Sequence, residues 1–152
     1  MAGADLTRLD AFSHISKDGF FLRATGVCLG GRGLALIGVS GSGKSEVAIR
    51  MMALGARLVS DDGLWVDATN NKIRPDTAPD MIEARGIGLL HARPVATAPL
   101  SAVVDLDRVE PDRLPPWRET TAPGGPVPLI LGRDHPCLAA ALCQYLAYGR
   151  AK

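Results

Sequence analysis

The stretch Gly38-Val39-Ser40-Gly41-Ser42-Gly43-Lys44-Ser45 constrains this chain more than any other. It satisfies G-x-x-x-x-G-K-[ST], the phosphate-binding P-loop. A phosphate chain carries negative charge that must lose water before it can be held. Glycines let successive backbone N–H groups turn inward with no Cβ in the way. A following helix adds unpaired N–H groups and the positive end of its dipole. In such a loop the backbone of Gly38, Val39, Ser40, Gly41, Ser42 and Gly43 cradles the phosphates. Lys44 reaches the β- and γ-phosphates, and the Ser45 hydroxyl ligates Mg²⁺. The flanks agree. Leu34-Ala35-Leu36-Ile37 is a short apolar run, as a buried strand should be. Glu46 to Leu54 contains neither Gly nor Pro, and Gly55 is a natural helix stop. Strand, loop and helix therefore come in the order a nucleotide site requires, with a nucleoside triphosphate and Mg²⁺ as the expected ligands.

The rest of the chain must supply a sheet around that unit. With 152 residues and 47% apolar content it is long enough for one domain with a real core. We expect a single domain over 1–152, in which residues 1–13 form a mobile or partly helical lead-in. A net charge of +1 argues against a polyanion-binding surface, so no nucleic-acid partner is expected. No apolar run approaches the ~20 residues of a membrane span, and the start of the chain has no secretory pattern. Cys28, Cys137 and Cys143 are odd in number and lack metal-ligand spacing, which fits reduced cysteines in a cytoplasmic protein. Phe20 to Leu29 reads as one or two strands, and Gly30-Gly31-Arg32-Gly33 as a tight turn. The strand before the P-loop thus gains an antiparallel neighbour. The expected fold is α/β: a P-loop nucleotide-binding fold on a mixed sheet, with the helix after the P-loop on one face.

Beyond that helix lie two charged constellations. Leu58-Val59-Ser60 is a short strand that runs into Asp61-Asp62. An Asp at the end of a strand near a P-loop helps hold Mg²⁺. Neighbours in an extended segment point in opposite directions, so one acid can face the metal and the other an attacking hydroxyl. The plainer alternative is a solvated Asp-Asp-Gly turn. Leu64–Asp67 and Lys72–Arg74 read as two strands about a Thr69-Asn70-Asn71 turn. A loop from Pro75 to Pro79 follows. In Glu83-Ala84-Arg85-Gly86-Ile87-Gly88, Glu83 and Arg85 would point the same way if extended. Glu83 could complete a metal site and Arg85 could meet phosphate charge. The alternative there is a surface ion pair beside a glycine turn.

Together these three stretches resemble the catalytic domain of the HPr kinase/phosphorylase family, bacterial serine kinases that act on the phosphocarrier protein HPr. The carrying residues are Lys44-Ser45-Glu46, Leu58-Val59-Ser60-Asp61-Asp62 and the Glu83–Gly88 signature. The resemblance covers about residues 14 to 106 and matches the shortened single-domain form of alphaproteobacteria. It implies an ATP-dependent protein-serine kinase with an HPr-type partner, leaving a homo-oligomer open. It also implies roles. Lys44 binds phosphates, and Ser45, Asp61 and Glu83 serve the metal. Asp62 accepts the proton of the substrate serine, and Arg85 belongs to the loop that supports transfer. Where the family has a histidine, fifteen residues before the first P-loop glycine, this chain has Arg23. The basic loop used for the reverse reaction is not recognisable, and Arg133 in Leu131-Gly132-Arg133-Asp134 is only faintly similar to a family segment. Phosphorylase activity is accordingly expected to be weak or absent. A small-molecule kinase and a non-catalytic nucleotide-binding module are the competing functions.

The remainder reads as a strand from Leu100 to Leu106, then a Pro-rich charged excursion from Arg108 to Pro128 with Trp117 tucked down. A strand from Val127 to Leu131 leads into a last helix, capped by Asp134 or His135 and running to Tyr148. His14, His91 and His135 read as ordinary surface or core histidines.

Overall fold

The computed structural model describes residues 13–16, 19–76 and 80–152. The expected lead-in thus falls outside the described residues except for Ser13, and so does part of the loop expected from Pro75 to Pro79.

Twelve strands and two helices are described. In chain order they are β1 (Ser13–Ser16), β2 (Gly19–Leu22), β3 (Thr25–Leu29), β4 (Arg32–Ile37), α1 (Lys44–Ala53), β5 (Arg57–Ser60), β6 (Leu64–Val66), β7 (Lys72–Pro75), β8 (Met81–Ala84), β9 (Gly88–His91), β10 (Ala98–Asp105), β11 (Glu119–Ala122), β12 (Gly125–Leu131) and α2 (Leu138–Tyr148). Ten strands form one mixed sheet with a main path β1-β2-β6-β7-β10-β4-β3-β5, while β8 and β9 form a separate hairpin. The turn between β3 and β4 is the tight one the glycines announce. Gly30 and Gly31 take φ of 60° and 77°, the left-handed pair that a two-residue hairpin of right-twisted strands needs.

The long strand β10 ties the sheet together. Parallel to it, β4 pairs along Leu100–Asp105, with a register shift between Leu100 and Ala102. Its first residues take β7 antiparallel, and its last three take β12 in parallel.

The central strands are apolar throughout because both of their faces are covered. Leu34 and Leu36 of β4, with Ala102 and Val104 of β10, join the cluster under the helices, against Ala48, Met51, Leu142 and Leu146. Their neighbours Ala35, Ile37 and Val103 join the opposite cluster, against Leu22, Leu64, Val66 and Ile73 of the antiparallel half. Alternate side chains of one strand thus feed two cores. Met51 is fully buried and Met52 partly so, the packing role expected of both. Cys28 and Cys143 are buried free thiols, and burial pushes the pKa of each upward, as for inert core cysteines. No helix among the described residues is long and apolar enough to cross a membrane.

Several sequence expectations need correction. Helix α1 starts two residues early, at Lys44, so the lysine and serine of the motif lie in its first turn. Neither Asp134 nor His135 caps α2. Asp134 takes a left-handed φ of 62°, and the helix begins after Cys137 with no side-chain cap. The excursion between residues 108 and 128 contains a strand, β11, paired antiparallel with β12. Trp117 is not tucked down; it is 61% exposed, with the Arg150 guanidinium 4.0 Å from its ring centroid.

Candidate active site

The loop after β4 closes on itself. Ser42 N–H donates to the Val39 carbonyl at 3.0 Å. The first glycine is required by this closeness: a Cβ on Gly38 would meet Ser42 Cβ at 2.8 Å. Gly43 is the N-cap of α1 in a left-handed conformation, and no side chain caps the helix. The amides of its first turn are therefore left for an anion. Lys44 Nζ donates to the Gly38 carbonyl at 2.9 Å and to the Val39 carbonyl at 3.4 Å. The ammonium is thus held against the loop by neutral acceptors, which a phosphate oxygen outcompetes.

Strand β5 ends at Ser60, and the two acids follow at once. The Ser45 hydroxyl donates to Asp61 Oδ1 at 2.7 Å, and the Thr25 hydroxyl donates to the same oxygen at 3.1 Å. Thr25 Oγ1 also accepts the N–H of Asp62 at 3.4 Å. One fully buried hydroxyl at the start of β3 therefore holds both acids in place. Asp62 has φ 59°, so the chain has left the extended conformation before the second acid. The two acids differ in direction, but a left-handed turn rather than strand alternation separates them. Asp61 is tied to the helix. Asp62 is 62% exposed and lies 3.7 Å from the Arg23 guanidinium.

Glu83 and Arg85 arrive from the hairpin. Ile82 and Ala84 of β8 are buried, and Ile82 belongs to the cluster that includes Ala48 and Met51 of α1. The alternate residue Glu83 is exposed. Arg85 follows where β8 ends. Both line a cavity of about 980 Å³ with Arg23, Thr25, Lys44, Ser45, Asp61 and Asp62. The structure thus gathers Arg23, Lys44, Asp61, Asp62, Glu83 and Arg85 into one concavity, bounded by Gly38–Gly41 and Gly43 of the loop, whereas Arg133 lines a separate cavity. Glu83 lies on β8, in a two-stranded sheet separate from the one that carries the P-loop.

Among the described residues, no three His, Cys, Asp or Glu side chains gather as a ready-made metal cage. A magnesium ion does not need one, because it keeps several waters and binds through one or two protein oxygens plus substrate phosphates. The Ser45 hydroxyl and the Asp61 carboxylate, 2.7 Å apart beside the helix N-terminus, are such a donor set.

Sequence reasoning missed two supporting residues. Thr25 carries no local signature, because its partners lie 36 and 37 positions away. Asp107 accepts the N–H of Val39 at 3.0 Å and so fixes the crest of the loop. Its signal was present, as the second acid of Asp105-Leu106-Asp107, which follows the apolar run Val103-Val104.

Comparison with known proteins agrees with the geometry. The profile of the HPr serine kinase C-terminal domain matches residues 20–98. The chain belongs to that family. Matched relatives named HPr kinase/phosphorylase include those of Aromatoleum aromaticum, 34% identical over 70% of this chain, and of an Azoarcus species, 31% identical over 79% of it. The chain spans 37% and 44% of the length of those two relatives. Over a shorter stretch, 41% of this chain, it is 39% identical to the HPr kinase/phosphorylase of Lachnoclostridium phytofermentans, of which it spans 22%. Among solved structures, the Hpr(Ser) kinase/phosphatase of Coxiella burnetii superposes with a TM-score of 0.67. The match covers 84% of this chain and 87% of that one at 23% identity, which shows a shared fold. The family match includes the P-loop, both acids, Glu83 and Arg85; it stops before β10 is complete.

Proposed function

We propose that this chain is a cytoplasmic, ATP-dependent protein-serine kinase whose substrate is an HPr-type phosphocarrier. One observation carries the reading. An uncapped helix N-terminus, a Ser–Asp oxygen pair and a second, exposed carboxylate share one cavity. The first holds phosphates, the second fits Mg²⁺, and the third is free to face an acceptor hydroxyl.

In this reading the backbone of residues 38–43 and the Lys44 ammonium hold the β- and γ-phosphates. Ser45, Asp61 and Glu83 would hold Mg²⁺, which when bound would neutralise charge on the phosphate oxygens. The seryl hydroxyl of the carrier is a poor nucleophile until its proton is taken. Asp62 accepts that proton as the seryl oxygen bonds to the γ-phosphorus and the bond to the ADP oxygen breaks. Arg85 meets the charge on the transferred group.

Arg23 stands beside Asp62, where the family resemblance places a histidine. A guanidinium stays protonated near neutral pH and cannot relay a proton. The forward reaction should therefore outrun the attack of inorganic phosphate on phosphoserine. The test is incubation with γ-labelled ATP, Mg²⁺ and HPr. Label on a carrier serine is the expected result. ATP binding with no label on protein or small molecules would favour a nucleotide-binding module instead.

A further inference from the structure

Strand β10 runs beside β4 to its end. Asp105 pairs with Ile37, the residue before the P-loop, and Leu106 N–H donates to the Ile37 carbonyl at 2.9 Å. The chain then turns toward the loop. Asp105 is fully buried, and its carboxylate builds that turn. Oδ1 accepts the Asp107 N–H at 2.9 Å, and Oδ2 accepts Nε of Arg108 at 2.9 Å. A carboxylate is costly to bury unless such bonds offset the lost water. The turn delivers Asp107 Oδ2 to the Val39 N–H at 3.0 Å.

That N–H belongs to the same peptide unit as the Gly38 carbonyl, to which Lys44 Nζ donates at 2.9 Å. In a trans peptide the two groups point in opposite directions. Asp107 and Lys44 therefore grip one peptide from its two ends. If that peptide rotated, the carbonyl would leave Lys44 and the N–H would leave Asp107. Gly38 has no Cβ to oppose rotation, and the Val39 side chain, 56% exposed, has little packing to oppose it. The charge-assisted bond from Asp107 opposes it instead. We propose that Asp107 is a positioning residue for phosphate binding: it locks the Gly38–Val39 peptide so that Lys44 is held at the loop, and buried Asp105 aims it. The proposal rests on the P-loop reading above. It adds a relay of two acids, outside the Asp61–Asp62 pair, that sets the loop before a phosphate arrives.

Calorimetry with Mg-ATP and with inorganic tripolyphosphate tests this. Asp107→Ala should weaken both ligands by about tenfold, because the loop meets phosphates alone. Asp107→Asn keeps an oxygen that can accept the Val39 N–H and should restore affinity to within about threefold of native. Asp105→Asn keeps one acceptor oxygen for two donors and should lie between, about three- to fivefold weaker. Added to Asp107→Ala, it should cost less than about twofold more, since the relay is already cut. Native affinity for both ligands in Asp107→Ala, or a loss that Asp107→Asn shares in full, would overturn the positioning role. A loss confined to ATP would place Asp107 against the nucleoside and overturn it too. Losses that multiply in the double variant would overturn the relay. Native protein that binds neither ligand would instead overturn the P-loop reading itself, and the positioning role with it.

Discussion

The two walls of the catalytic cavity are built differently. The P-loop wall stands on β4, whose neighbours β3 and β10 flank it and whose faces are both covered, so Leu34, Ala35, Leu36 and Ile37 are all buried. The other wall is the β8–β9 hairpin, a two-stranded sheet in which every residue of β9 is exposed and only Ile82 and Ala84 of β8 are buried. Two-stranded sheets are marginal by themselves, so this one depends on Ile82 reaching the helix-side core. The phosphate-holding groups thus sit on the rigid wall, and Glu83 and Arg85 on the softer one. Binding of the nucleotide should need little rearrangement, whereas the wall that completes the site for transfer can adjust to a protein substrate.

The largest expected effect breaks the rigid wall. Lys44→Ala removes the only side-chain cation in the loop. Transfer should fall by about a thousandfold or more, with nucleotide binding weakened as well. Steady-state kinetics and calorimetry check this, and near-native turnover would refute the assignment of the loop. Disturbing the soft wall should do something else. Glu83→Gln should raise the Mg²⁺ concentration needed for half-maximal transfer by about three- to tenfold, while ATP affinity at saturating Mg²⁺ stays within about twofold. A Mg²⁺ titration at fixed ATP reads both.

A third change probes what links the walls to the floor. Thr25→Val keeps the shape of the side chain and deletes the hydroxyl shared by Asp61 and Asp62. It should cost about 1–3 kcal/mol in chemical denaturation, because the half-buried Asp61 carboxylate and the Asp62 N–H lose their bonds to a buried hydroxyl. Stability equal to the native protein would show that the latch is not formed in solution.

The smallest effect lies away from the site and sharpens the contrast by leaving both walls alone. The Arg118 guanidinium makes two hydrogen bonds to Glu110, at 2.8 and 2.9 Å, and these chiefly hold the Glu110 carboxyl below its ordinary value of 4.5. A depressed folded-state pKa stabilises above the unfolded value and ceases to stabilise as pH falls through the folded one. The stability difference between native protein and Arg118→Gln should therefore be steady, at about 1 kcal/mol or less, above roughly pH 5 and should fade on further acidification. Denaturation midpoints from pH 7 to 3 would show it; a difference growing toward low pH would contradict the sign.

The same contrast explains what could be read from sequence. The P-loop wall is legible because its chemistry forces residue types: glycines for backbone approach, lysine and serine at the helix start, an acid after a short apolar strand. Even there, strand alternation gave the wrong reason for separating Asp61 from Asp62, since the turn at Asp62 depends on Thr25, a residue distant in sequence. The hairpin wall was visible only through its charges. Leu89 and Leu90 are apolar yet exposed, so periodicity said little about their pairing. β11 was hidden in the Pro-rich excursion because Glu119-Thr120-Thr121-Ala122 has no apolar stripe; its pairing with β12 defines it. The start of α2 was misplaced because Asp134 and His135 look like caps, whereas the left-handed turn at Asp134 spends those residues before the helix begins.

The central claim is that two adjacent carboxylates divide the work, Asp61 with Ser45 and the metal, Asp62 with the acceptor proton. The most direct test measures Mg-ATP affinity and the rate of transfer to HPr for Asp61→Asn and Asp62→Asn side by side. The account predicts that Asp62→Asn lowers transfer by about a hundredfold or more with Mg-ATP affinity nearly unchanged, and that Asp61→Asn weakens the Mg²⁺ dependence of nucleotide binding itself. Equal loss of affinity in both variants, or full transfer by Asp62→Asn, would contradict it.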